Sequence, residues 1–108
     1  MFMIRQGDVM VYAIDAIPEG LEPVARDNGR VILAYGEVTG HAHAILDADV
    51  ELLAGAKLEE RFLQVLADGG ATLAHDEHSA IFLPAGQYRV VRQREHDLAS
   101  GQVRFVAD

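Results

Sequence analysis

The chain has no cysteine and no tryptophan, only 3 prolines among its 108 residues, and no long apolar run. Without cysteine there is no disulfide framework, no thiolate metal site and no cysteine nucleophile, so any bound metal must use nitrogen and oxygen ligands. No stretch approaches the roughly 20 apolar residues that a membrane-spanning helix needs. The opening Met1-Phe-Met-Ile-Arg-Gln-Gly-Asp8 lacks the charged, apolar and cleavage regions of a signal peptide, and a cytoplasmic location is the expectation. Basic charge is also scarce. Nine Lys and Arg stand against 17 Asp and Glu, a formal charge of -8, whose field repels nucleic acid and anionic membranes. Only Arg89, Arg92 and Arg94 gather on one segment, and on a regular strand Arg89 faces away from the other two. Arg92 and Arg94 remain a candidate contact for a phosphate or carboxylate, and a nucleic-acid accessory role through them is the weakest of the functional readings.

Helical signals are few as well. Turn residues recur at short intervals between β-branched or alternating segments, the rhythm of an all-β protein, and the chain is read as a single β domain over residues 1–108, a small barrel or sandwich. Expected strands are Asp8–Ala13, Arg30–Ala34 after the Asp27-Asn28-Gly29 turn, His41–Leu46, Val50–Leu53, Phe62–Leu66, Ala71–His75, Ala80–Leu83, Tyr88–His96 and Gln102–Val106. Residues 15–29 read as a surface loop. Asp47-Ala48-Asp49 is expected to close a hairpin, and Asp68-Gly69-Gly70 another between the Phe62 and Ala71 strands. Residues 57–62 also fit one short helical turn. Arg5 to Asp8 and Arg92 to His96 are polar segments that adjacent strands could bring together as a salt-bridged sheet face.

What the chain does have is five histidines in an informative arrangement. His41-Ala42-His43 follows Gly36 and Gly40, and two imidazoles one residue apart on a strand project from the same face. His75 and His78 enclose Asp76-Glu77, and they converge only if a strand ends between them. His41, His43 and one or both of His75 and His78 are the candidate metal ligands. Glu37, Asp47, Asp76 and Glu77 are candidate carboxylates, with Glu37 or Glu77 as proton acceptor in an enzyme. Imidazole and carboxylate donors suit a divalent transition metal such as Zn, Fe, Ni or Mn. His96 lies among charged residues near a turn and is a weaker candidate.

These motifs resemble those of the cupin superfamily. Gly36, His41-Ala-His43 and Asp47 are similar to its first motif, and Pro84-Ala-Gly86 matches the turn of its second, with Arg89 where that motif carries a histidine. The resemblance implies a β-barrel with a metal in its mouth, a homodimer, and either oxygenase, isomerase or epimerase chemistry on a small-molecule substrate or simple ligand binding. Because Arg89 removes one ligand, it makes the site depend on His75 or His78. The alternative is a non-catalytic interaction module that contacts a partner protein in a larger assembly. Nucleophilic catalysis has little support, since Ser79 and Ser100 lie outside any Gly-x-Ser-x-Gly elbow and Thr39, a conceivable hydroxyl partner two residues before His41, is of a type that ordinarily packs in a strand.

Overall fold

A computed structural model describes residues 2–36, 41–57 and 59–92. The Glu37, Thr39, Arg94 and His96 candidates, the far end of the Tyr88 strand and the Gln102–Val106 strand lie outside the described residues.

Among the described residues ten strands form two antiparallel sheets: β1 (Met3–Gln6), β2 (Val9–Ile14), β3 (Glu22–Pro23), β4 (Val31–Tyr35), β5 (Ala42–Ile45), β6 (Val50–Ala54), β7 (Arg61–Val65), β8 (Ala71–Ala74), β9 (Ile81–Leu83) and β10 (Gly86–Arg92). The order is β1-β2-β10-β7-β6-β3 in the larger sheet and β4-β5-β8-β9 in the smaller. Among the described residues no outer strand of one sheet pairs with an outer strand of the other, so the architecture is sandwich-like and not a closed barrel. Among the described residues there is no helix. Leu58, within the 57–62 stretch expected as a short helical turn, lies outside the described residues; around it Glu60 N–H donates to Lys57 O and Gly55 N–H to Glu60 O, and the strand β7 begins at Arg61.

Alternation builds the core. Val9 and Val11 of β2, Leu63 and Val65 of β7, Tyr88 and Val90 of β10, and Leu52 of β6 meet Ile45, Leu73 and Leu83 of the smaller sheet, all buried. The outer face of that sheet carries a minor cluster of Ile32, Ala42 and Ala44. The period of 2 therefore places His41 and His43 on the same side of the strand as Ile45, toward the inter-sheet space.

Two turns obey local rules. Asn28 and Gly29 have φ of 52° and 78°, both left-handed, as a type I′ turn requires between the mutually bonded Asp27 and Arg30. Gly7, at φ 60°, is followed by an Asp8 without positive φ, the pattern of a type II′ hairpin turn joining β1 to β2, where Gln6 pairs with Val9.

Two expected hairpins are not formed. The Asp68-Gly69-Gly70 turn does not return β8 onto β7, because β7 pairs with β6 and β10 while β8 pairs with β5 and β9. Likewise the Asp47–Asp49 turn carries the chain from β5 in one sheet to β6 in the other. Both turns are crossovers at sandwich edges, because apolar faces on each sheet bury more area stacked than laid side by side. Within the expected 15–29 loop, Glu22–Pro23 adds a two-residue edge strand to β6.

Candidate metal centre

The register of β5 and β8 assembles the histidines. Ile45 pairs with Leu73 and Ala44 with Ala74. Continuing that antiparallel register by one residue sets His75, immediately after β8, opposite His43. Their rings lie 4.4 Å apart between centroids. The strand ends at Ala74 and bends through Asp76–His78, so the His78 ring comes to 4.6 Å from that of His75 and 6.0 Å from that of His43. His41 completes the group, 5.9 Å from His75. Four imidazoles from two distant segments thus share one end of the inter-sheet space.

The β1–β2 hairpin covers that end. A Cβ placed on Gly7 would fall 2.9 Å from His78 Nε2 and 3.2 Å from His43 Cε1, so glycine is required both for the turn and for the close approach. Gln6 is buried, and its Nε2 donates to Leu73 O at 3.0 Å and Ser79 O at 2.9 Å. Both amide protons are used, which leaves Oε1 as the Gln6 atom facing His43 Nδ1 at 2.8 Å, and that nitrogen donates. Asp8 follows. Its Oδ1 lies 3.4 Å from His43 Nε2, and its Oδ2 accepts from Arg92 Nε at 2.9 Å. Of the two polar segments, Asp8 and Arg92 meet, because Arg92 of β10 pairs across from Val9, the residue after Asp8, while β1 lies on the other side of β2.

His43 is only 3% exposed. Burial, and after it the neighbouring His75, pushes its pKa down to about 4, while Asp8 pulls the other way. His41 is half-buried on the rim, with Nε2 at 3.6 Å from Asp76 Oδ2 and Nδ1 at 3.9 Å from Glu77 Oε1. His75 Nδ1 accepts the Glu77 backbone N–H at 3.0 Å.

The carboxylate candidates separate clearly. Asp76 and Glu77 sit on the rim beside His41. Asp47 is spent elsewhere, its Oδ1 accepting from Thr72 N at 3.0 Å. Sequence reasoning did not find Asp8 or Gln6 as members of the site, although the Gly7-Asp8 turn was a signal that the residues around it would be folded close together. Arg89 is exposed on β10.

An ion about 2 Å from each imidazole nitrogen at tetrahedral angles holds ring centroids roughly 5 Å apart, and the observed separations of 4.4 to 6.0 Å bracket that value. The donor atoms themselves are not converged. Among the described residues no three His, Asp or Glu side chains are already arranged to hold an ion. His75 shows why: while its Nδ1 accepts from Glu77, a neutral ring carries its proton on Nε2. Coordination through His75 requires that ring to turn or to give up the Glu77 amide.

No curated protein and no solved structure matches this chain, so the cupin resemblance rests on its motif residues alone. The sequence from residue 5 to residue 93 does match a family described as a domain of unknown function, DUF8820, and the chain belongs to that family.

Proposed function

We propose that this domain binds one divalent transition-metal ion through His43, His75 and His78, with His41 on the rim. The observation that carries the reading is the gathering of four imidazole rings under a glycine turn that leaves room for them. A neutral His43 supports it, since only the unprotonated ring is a ligand. Donors restricted to nitrogen and oxygen fit zinc, iron, nickel or manganese. In an enzyme such an ion would acidify a bound water, and Glu77, on the rim beside His41 together with Asp76, would receive the proton.

The test is metal content. Protein expressed without a polyhistidine tag should carry about one metal per chain or take up Zn²⁺ in a titration with that stoichiometry. The His43→Ala/His75→Ala/His78→Ala variant should take up none. Wild-type protein that neither carries metal nor takes up Zn²⁺, Ni²⁺, Mn²⁺ or Fe²⁺ overturns the reading.

A further inference from the structure

Gln6, His43 and Asp8 form a chain of contacts whose proton positions can be worked out from the outer end. The Gln6 amide is fixed by two backbone carbonyls, Leu73 O and Ser79 O, so its oxygen faces His43. His43 Nδ1 therefore holds a proton and donates it to that oxygen. In a neutral imidazole the other nitrogen, Nε2, then carries a bare lone pair. That lone pair is 3.4 Å from Asp8 Oδ1, an oxygen of a carboxylate whose second oxygen is held by Arg92. Two acceptors face each other, an arrangement that is repulsive without a positive charge between them. Two ligand atoms each about 2.1 Å from one ion at a tetrahedral angle are about 3.4 Å apart.

We infer that Asp8 is the carboxylate ligand of this site, and that Gln6 is a positioning residue which holds His43 in the Nδ1–H tautomer so that Nε2 and Asp8 Oδ1 share the cation. This rests on the metal-binding reading and adds to it a ligand that lies outside the histidine motifs. Gln6 acts on two parts at once. Its bond to His43 sets the tautomer, and its bonds to Leu73 and Ser79 tie the β1–β2 hairpin to both ends of the segment that carries His75 and His78. Partners of this kind beyond a metal's direct ligands raise ligand basicity and fix ring orientation.

The experiment has one arm on the metal-free full chain and one with Zn²⁺. Long-range ¹H–¹⁵N NMR of the histidine rings at pH 7.5 reads which nitrogen of His43 is protonated. The wild type should show Nδ1–H with a bare Nε2. Gln6→Leu, which removes the acceptor, should shift His43 to Nε2–H, bonded to Asp8. Gln6→Glu keeps an acceptor for Nδ1–H and should retain the wild-type tautomer although its two carbonyl bonds are gone. A wild-type His43 protonated on Nε2, alone or together with Nδ1, overturns the inference, and so does an unchanged tautomer in folded Gln6→Leu. In the second arm, Asp8→Asn and Gln6→Leu should each weaken Zn²⁺ binding by about 10- to 100-fold. Wild-type protein that binds Zn²⁺ while Asp8→Asn binds it equally overturns the ligand role of Asp8 and leaves the metal reading standing. Wild-type protein that binds no Zn²⁺ overturns the metal reading and the Asp8 role together, whatever tautomer the first arm finds.

Discussion

His43 on β5 and His75, immediately after the neighbouring strand β8, lie side by side on the smaller sheet, their rings 4.4 Å apart at an interplanar angle of 35°. The strand pairing Ile45 to Leu73 and Ala44 to Ala74 produces this contact, so the central pair of the cluster is a consequence of sheet register.

The four histidines should therefore be unequal. His43 is buried at the centre, whereas the His41 side chain is 23% exposed beside Asp76 and Glu77. His43→Ala should weaken Zn²⁺ binding by about 100-fold or more, and His41→Ala by about tenfold or less. Competition with a chromophoric chelator measures both, and equal losses would contradict the placement of His41 on the rim.

Acid should destabilise the metal-free fold through His43. Its folded pKa of about 4 lies below the ordinary 6.5, so between those values the unfolded chain binds the proton that the folded one refuses. The stabilisation is complete above pH 6.5 and is lost progressively as pH falls from there to about 4. At 1.36 kcal/mol per pKa unit it amounts to roughly 3 kcal/mol. Urea midpoints between pH 7.5 and 4 should fall for the wild type and fall less for His43→Gln, which keeps a polar side chain that does not titrate.

Gly7→Ala should strain the hairpin turn and crowd the cluster together. The left-handed φ of 60° costs an L-residue about 1–2 kcal/mol, and the new methyl would press on His78 and His43. A fall in Tm of about 5–10 °C is expected for a domain of this size. Zn²⁺ affinity should fall with it, because β1–β2 must lift away from the rings.

Leu63 and Leu66 separate core from surface within one short segment. Leu63 is fully buried between Leu52 and Tyr88, its partners on the neighbouring strands, whereas Leu66 is 59% exposed. Leu63→Ala should cost about 2–5 kcal/mol in urea unfolding. Leu66→Ala should stay within about 0.5 kcal/mol of the wild type.

The expected Asp8–Ala13 and Val50–Leu53 strands match β2 and β6 closely, because short apolar segments bounded by turn residues mark them locally. Also legible in the sequence was the Asn28-Gly29 turn, where both residues adopt the positive φ that the dipeptide favours. β1 was missed: Met3 and Arg5 are exposed, and the one fully buried residue of the strand is the polar Gln6. No local pattern marks such a segment as core, since Gln6 is buried only because Leu73, Ser79 and His43 satisfy it.

The sequence by itself determined the all-β class, the exclusion of thiolate chemistry, and the shared face of His41 and His43, because composition and a period of 2 are local properties of the chain. Only the tertiary structure decided which strands pair. It sent β7 and β8 to different sheets despite the glycine turn between them, brought His75 and His78 to His43, and placed Gln6 and Asp8 beside the same ring. The physical reason is that a turn reverses the chain whatever follows, while the partner of each strand is set by which apolar faces can be buried together across the whole domain.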